Sequence, residues 1–368
     1  MSYEIDLNEE QIGHILSKYT LMKYKIDNII DSSKTDIDIR KNYCLSFEDG
    51  SEFVLKITNN SFTTPERING WKDLSKLYKN NGIYCPQIIE TKDGKCFVKA
   101  ILESGKTYTA YLEEKKKYET VWEYIKEYGK NEEEKRDLEA RFDNINFHGR
   151  VLETIGIIAN ASKKLVSWPS PYCLYETFRI EDKADENYEF AKIFYNLCKK
   201  QKGVDKDFLN KIWKIYIEKK AEFEDEYRNL PKAVFQNDLN SSNVLIDEEL
   251  RFSGLIDFNL SGTEAILNYA ICESIYYLED DDLKTLDTVE TAKKYDSHFK
   301  ESMACIKKHY EFTEEEKNAF MALYNIVAPF RYPNISLFIS VIEKGETQYI
   351  DSMLRWIYKE LTRKDLKL

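Results

Sequence analysis

The spacing of apolar residues changes near residue 113, and this change constrains what the chain can fold into. Before it, the runs YKIDNII, NYCLSF and EFVLKI alternate between apolar and polar residues and are bounded by turn residues, which is typical of strands. One helix interrupts them, with Pro65 in its first turn and its end near Gly82. From Glu114 onward the period is helical, except around residues 234–258, where strands return. The pattern predicts an α+β fold with an N-terminal antiparallel sheet, one inserted helix and a mostly helical remainder.

The boundary between the two parts is expected at residues 112–117, so we predict an N-terminal domain of residues 1–113 and a C-terminal domain of residues 114–368. The last strands of the first part are read in CFVKAIL and TYTAYL, with a turn in ESGK at residues 103–106 between them. At 368 residues and 42% hydrophobic composition, the chain can build a sizeable core.

Charge and cysteine content exclude several classes of protein. The net charge of -11 argues against a protein that binds the nucleic-acid backbone and is compatible with a cationic ligand. The seven cysteines are scattered without a CxxC pair, which predicts reduced thiols in a cytoplasmic protein. No stretch approaches the length of about 18 apolar residues that a membrane span requires.

The segment VFQNDLNSSNVLI interrupts an apolar run with a polar block, and GLIDFN follows it. We expect a hairpin whose rims carry Asp238, Asn243 and Asp257. A carboxylate that accepts a proton and oxygen ligands for magnesium are what phosphoryl transfer from ATP requires. Taken alone, DLNSSN is equally compatible with a turn, since these side chains bond to their own backbone. The spacing of Asp238, Asn243 and Asp257 matches that of a kinase catalytic loop and its metal-binding Asp-Phe.

These motifs resemble those of the aminoglycoside phosphotransferase and choline kinase superfamily, with a layout similar to its homoserine-kinase-like branch. The family pattern H-G-D-x-x-x-x-N followed by I-D-[FW] corresponds to Gln236 through Asn243 and to Ile256, Asp257 and Phe258. The resemblance implies a two-lobed, protein-kinase-like fold and a small-molecule kinase that uses ATP and Mg²⁺. It also implies that Asp238 is the catalytic base and that Asn243 and Asp257 bind the magnesium.

The same resemblance assigns nucleotide-binding residues in the N-terminal part. Lys56 emerges from the third strand, where such folds place the lysine that binds the α- and β-phosphates, and Glu66 is a candidate partner for it. Glu66 is equally compatible with a second interpretation, an acidic residue that is favoured in the first turn of a helix by the helix dipole. The connection DSSKTDID between the first two strands contains no glycine, so Ser32 and Ser33 are expected to cover the phosphates.

Gln236 replaces the histidine of the family pattern, and we expect it to support the loop by hydrogen bonds. Because the chain is acidic, the acceptor is expected to be a small amine-bearing alcohol. Two alternatives remain at this point: an aminoglycoside resistance kinase, and a pseudokinase that binds nucleotide as a scaffold. The sequence does not decide between ATP and GTP or fix the oligomeric state.

Overall fold

A computed structural model describes residues 7–19, 23–35, 38–101, 107–163, 165 and 167–368. Its strands are β1 (Tyr24–Asp31), β2 (Arg40–Phe47), β3 (Glu52–Thr58), β4 (Ile88–Ile89), β5 (Val98–Ile101), β6 (Thr107–Glu114), β7 (Glu119–Thr120), β8 (Lys232–Phe235), β9 (Val244–Ile246), β10 (Phe252–Leu255) and β11 (Gly262–Ala265). The predicted ESGK turn at residues 103–106 lies outside the described residues.

The helices of the described chain vary in length from two turns to more than six. They are α1 (Glu9–Leu16), α2 (Pro65–Asn80), α3 (Val121–Tyr128), α4 (Glu132–Asn144), α5 (Phe147–Ser162), α6 (Glu186–Lys200), α7 (Lys206–Asn229), α8 (Ile266–Ser274), α9 (Val289–Lys307), α10 (Glu314–Val327), α11 (Tyr332–Glu343) and α12 (Ile350–Leu361). The α+β fold class predicted from the change of period is confirmed.

The N-terminal sheet is antiparallel, with β1, β2, β3, β6 and β4 in that order and β5 also paired with β6. Alternate residues of β2 are buried, as the sequence pattern predicts for a strand with one face on the core. Tyr43 and Leu45 from β2 pack there with Leu55 and Ile57 from β3. The pairing brings β6 beside β3, so residues more than fifty positions apart face one another across the sheet.

Helix α2 follows the sheet's third strand and begins as its sequence predicts. The Thr64 side chain accepts a hydrogen bond from the Arg67 backbone N–H, and Pro65 occupies the first helical position, where no N–H is needed. Ile68, Trp71 and Leu74 are buried, which is the face that the helical spacing indicates.

The chain divides into two compact units that differ from the predicted domains. Unit 1 comprises residues 1–145 and 238–261, and unit 2 comprises residues 146–237 and 262–368. The segment 238–261 joins unit 1 because β9 pairs with β7 and because the Leu255 N–H donates to the Tyr84 carbonyl at 2.9 Å. Of these two contacts, only the bond to Tyr84 crosses the predicted boundary at residue 113, since β7 and β9 both lie after it.

Unit 2 is built from helices around the short β8–β11 ladder, in which Phe235 lies opposite Gly262. Residues 262–265 form β11, and α8 begins directly after it, at Ile266. Glu264 of β11 is fully buried and accepts hydrogen bonds from Ser170 Oγ, Tyr227 Oη and Asn268 Nδ2. Because this buried carboxyl group has all of these hydrogen-bond partners, it holds together the segments that supply them.

Candidate active site

The loop between β8 and β9 holds Asp238 with two carboxamide donors. Asn240 Nδ2 donates to Asp238 Oδ1 at 2.5 Å, and Asn243 Nδ2 donates to Asp238 Oδ2 at 2.7 Å. Asn243 is buried, whereas Asp238 is half-buried. With both oxygens engaged, the carboxylate is fixed in orientation, as a proton acceptor needs to be. The predicted pair of residues, Asp238 and Asn243, is therefore brought into direct contact.

The hairpin of β9 and β10 places Asp257 beside this loop. The two strands pair antiparallel, as predicted, and the Ile256 N–H donates to the Asn243 carbonyl at 2.9 Å. Asp257 follows with a φ of 58°, in the left-handed region, which Asp tolerates better than most residues. Phe258 packs edge-on against Tyr78, with 5.3 Å between ring centroids, and anchors the segment to unit 1.

Lys56 on β3 forms an ion pair with Glu113 on β6, at 2.7 Å between Nζ and Oε2. The lysine side chain is 20% exposed and the glutamate side chain 9%. Burial disfavours the charge on Lys56, but Glu113, Tyr111 and Asp257 outweigh it, and the pKa of Lys56 is raised. Burial also raises the pKa of Glu113, against the opposing effect of Lys56. The lysine is thus a fixed cation within the electrostatic reach of Asp257.

Glu66 is not the partner of Lys56 in this structure. It lies exposed in the first turn of α2, where its pKa is lowered by hydrogen bonds to its own backbone N–H and to Thr64. The partner that the structure supplies, Glu113, comes from the sheet because Lys56 lies opposite Tyr111 and Glu113 follows two residues later on the same face. The favourable position of an acid at a helix N-terminus accounts for Glu66.

Ser32 and Ser33 lie in the connection between β1 and β2, but their backbone N–H groups already have partners. The Ser32 N–H donates to the Arg40 carbonyl at 2.9 Å, and the Ser33 N–H donates to Asp31 Oδ1 at 3.0 Å. The Ser33 hydroxyl accepts the Arg40 N–H at 3.0 Å. A direct contact of these amides with phosphate would require these bonds to break. The nucleotide role of both serines stays a prediction.

One cavity in unit 1 collects several of the predicted residues. It encloses about 440 Å³. The residues that line it are Ser32, Arg40, Asn42, Lys56, Ile57, Thr58, Asn60, Thr63, Tyr111, Asp257 and Asn259. Arg40 and Asn42 were not singled out by sequence, since isolated polar residues on a strand resemble any solvent-facing position.

The donors near the cavity fit magnesium and not a softer metal. Asp257 offers a carboxylate and Asn243 an amide oxygen, and Mg²⁺ takes one or two such ligands together with phosphate oxygens and water. In the described ranges, no cluster of three or more His, Cys, Asp or Glu side chains could hold a metal by itself. The donor set therefore suits a cation that arrives with a phosphate ligand.

Gln236 is fully buried at the end of β8 in unit 2, as a supporting residue would be. Next to it, Asn237 has a φ of 61°, and its Nδ2 donates to the carbonyls of Phe235 and Gly262 at 3.0 and 3.1 Å. These bonds fix the backbone immediately before Asp238. The bracing role of Gln236 itself stays a prediction.

Comparison with solved structures defines the class of fold. The microcompartment-associated aminopropanol kinase matches with a TM-score of 0.52 and 11% identity, over 96% of this chain and 98% of that one. The complex of amicoumacin kinase hAmiN with AMP-PNP, Ca²⁺ and Ami gives 0.49 and 13%, over 96% and 93%. An aminoglycoside phosphotransferase from Alicyclobacillus acidocaldarius gives 0.47 and 13%, over 97% of both chains.

The chain has a kinase-like fold, as its motifs led us to expect. No family model matches the chain, and no curated protein does. No helix in the described ranges is long and apolar enough to cross a membrane.

Proposed function

We propose that the protein is an ATP- and Mg²⁺-dependent phosphotransferase that acts on a hydroxyl of a small, amine-bearing molecule. One observation in unit 1 carries this proposal. Lys56, which is paired with Glu113, lines the same cavity as Asp257, and the nearby Asp238 is in contact with Asn243. With ATP as the phosphate donor, the reaction belongs in the cytoplasm.

Each residue has a role that its surroundings support. Lys56, fixed by Glu113, orients the α- and β-phosphates, and Asp238 accepts the proton of the attacking hydroxyl. Asp257 and the Oδ1 of Asn243 hold Mg²⁺, which, when bound, neutralises charge on the phosphates. The carboxamide donors keep the Asp238 carboxylate oriented toward its substrate.

Unit 2 contains a small pocket, open to solvent, whose lining groups suit the amine of an acceptor. Its lining includes Glu186 and the rings of Tyr172, Phe190, Phe330 and Tyr332. Aromatic faces together with a carboxylate are the groups that bind an ammonium ion. We propose this cavity as the acceptor site.

The charges around the cavity favour a ligand with a positive charge. Arg331 is buried, lies 4.2 Å from the centroid of Tyr172, and forms an ion pair with Glu273 at 3.2 Å. Glu273 therefore offsets the arginine, and Glu186 remains as an additional negative charge. A protonated amine would neutralise it.

The alternative of a scaffold pseudokinase receives less support, because the groups needed for turnover are present and oriented. An aminoglycoside phosphotransferase remains compatible with an acceptor cavity that contains Glu186. Aminoglycosides carry several amines, whereas Glu186 is the one carboxylate among the described residues that line the cavity, so we favour an acceptor with a single amine.

The test is ATP-dependent phosphorylation of a panel of amino alcohols, hydroxy amino acids and aminoglycosides, with ATP and GTP as donors and with or without Mg²⁺. We expect turnover with ATP, Mg²⁺ and at least one monoamine alcohol. Binding of nucleotide without turnover on any acceptor would favour the scaffold, and turnover restricted to aminoglycosides would favour the resistance kinase.

A further inference from the structure

The connection between β1 and β2 lacks the usual means of holding the terminal phosphate of a nucleotide. Kinase-like folds use backbone N–H groups of a glycine-rich loop there, but residues 31–40 contain no glycine. The N–H groups of Ser32, Ser33 and Lys34 are bonded to the Arg40 carbonyl, Asp31 Oδ1 and the Asp38 carbonyl. Since these three N–H groups of the described part of the connection are engaged, a side chain is the candidate donor.

Arg40 lies at the end of this connection and lines the same cavity as Lys56. On the antiparallel pair of β2 and β3, Asn42 is opposite Lys56 and Arg40 is opposite Thr58. Residues two apart on a strand share a face, so Arg40 extends the row that contains Lys56 by one repeat of the pleat, about 7 Å. All four residues contribute to the cavity lining.

The Arg40 guanidinium is held in place before any ligand binds. Its Nε and Nη2 donate to Asp38 Oδ1 and Oδ2 at 2.7 and 2.9 Å, and its central carbon lies 5.3 Å from the centroid of the Phe62 ring. A two-point pair of this kind fixes the plane of the group. The Arg40 side chain is 22% exposed, so the cavity still reaches it.

Arg40 has donors left for an anion. A guanidinium has five N–H groups in a fixed fork, and Asp38 takes two of them. Guanidinium also matches the geometry of phosphate oxygens and keeps its charge at every physiological pH. Lys56 is already bonded to Glu113, which leaves Arg40 as the cation placed for a further phosphate.

We propose that Arg40 binds the terminal phosphate of the nucleotide in place of a glycine-rich loop, with Asp38 as the residue that positions it. This inference rests on the proposed function, because it assumes that the cavity in unit 1 binds a nucleoside triphosphate. It makes Arg40 a residue that distinguishes triphosphate from diphosphate.

The test compares the binding of AMP, ADP and a non-hydrolysable ATP analogue, each with Mg²⁺, by calorimetry in the wild-type protein and in Arg40→Gln. We expect Arg40→Gln to weaken the ATP analogue about tenfold or more, the scale of a lost hydrogen bond to a charged group, while AMP and ADP bind as before. Arg251→Gln is the control. Arg251 belongs to the same unit and pairs with Asp247 at 2.9 Å, but it is 63% exposed and does not line the cavity.

Equal binding of all three nucleotides by Arg40→Gln and the wild type would overturn the proposal, as would an equal loss for all three. If Arg40→Gln does not fold by circular dichroism, Arg40→Lys decides. A lysine keeps the charge but not the fork, so selective weakening of the ATP analogue is again expected, and unchanged binding overturns the proposal. A wild-type protein that binds no nucleotide would instead refute the proposed function.

Discussion

Both oxygens of Asp238 accept hydrogen bonds, one from Asn240 and one from Asn243, and a side chain of the same size that cannot take up a proton tests its role. Asp238→Asn keeps the size of the side chain but removes the proton acceptor, and we expect turnover to fall by about a hundredfold or more. Affinity for the ATP analogue should be nearly unchanged. Steady-state kinetics and calorimetry measure both quantities, with Asp73→Asn, an exposed carboxylate on α2, as the control. A variant that keeps most of its activity would refute the assignment.

The Lys56–Glu113 pair gives a test of which acid supports the lysine. Glu113→Gln leaves a partly buried ammonium without its carboxylate, so we expect weaker nucleotide binding. We also expect a loss of unfolding free energy below the roughly 3–5 kcal/mol of a fully buried pair, since Lys56 is 20% exposed. Glu66→Gln is the matched variant and should change stability by about 0.3–1 kcal/mol, the value of a helix-terminal charge, with nucleotide binding retained. The reverse ranking of the two variants would restore Glu66 as the partner.

Because the side chain of Glu186 is half-buried, we expect the binding of the acceptor to depend on pH. Burial raises the pKa of this carboxyl, and the nearby Arg331 only partly opposes that effect. The carboxyl is neutral below its pKa and anionic above it, so an ammonium ligand should bind more tightly as pH rises through a range above the usual titration of Glu. KM for an amino alcohol should fall over that range, and Glu186→Gln should flatten the profile. The same profile in both proteins would argue against contact between Glu186 and the amine.

At the scale of elements, the β9–β10 hairpin depends on a close contact between backbones. A Cβ added to Gly254 would lie 2.1 Å from the Tyr84 carbonyl oxygen, so Gly254→Ala must move either β10 or the backbone at Tyr84. We expect a loss of about 1–3 kcal/mol in unfolding free energy, the cost of overpacking, and weaker Mg²⁺-dependent nucleotide binding because Asp257 follows the strand.

Gly13→Ala in α1 is the matched control for this change. Its Cβ would meet only Tyr24 Oη at 3.7 Å, an ordinary contact. Alanine is the better helix former by about 1 kcal/mol, so this variant should be unchanged or more stable. Urea denaturation of both variants gives the comparison, and equal stabilities would contradict the close approach at Gly254.

The elements that sequence predicted well are those with a local signal. Helix α2 has its cap, its proline and its buried stripe within sixteen residues, and β1, β2 and β3 show alternation and turns. The short strand β11 has no local signal, because what makes residues 262–265 a strand is pairing with β8, nearly thirty residues earlier. Local propensity cannot report such pairing.

The same distinction applies to the site. Asp238, Asn243 and Asp257 were found because their spacing along one hairpin carries the signal. Glu113 was missed because its relation to Lys56 is set by the register of β3 against β6. Arg40 was missed because its place beside Lys56 depends on the register of β2 against β3.

At the scale of the whole molecule, ligand binding should appear as thermal stability. A non-hydrolysable ATP analogue at about one hundred times its Kd, with Mg²⁺, adds roughly 2.7 kcal/mol to the free energy of unfolding. EDTA should remove most of this gain, because Asp257 and a triphosphate repel one another without a cation between them. Melting curves with and without EDTA measure the effect, and Asp257→Asn should show a smaller difference between the two. An analogue that stabilises equally in EDTA would exclude the proposed metal role of Asp257.

Because unit 1 combines residues 1–145 with residues 238–261, it cannot be completed early in translation. Domains fold as they emerge, the N-terminal part first. Here the sheet that carries Lys56 emerges early, but Asp238, Asn243 and Asp257 follow only after residues 146–237 have been translated. A nascent chain cannot assemble the nucleotide site until its final third is being made, and a chain released early would leave β7 without its partner strand β9.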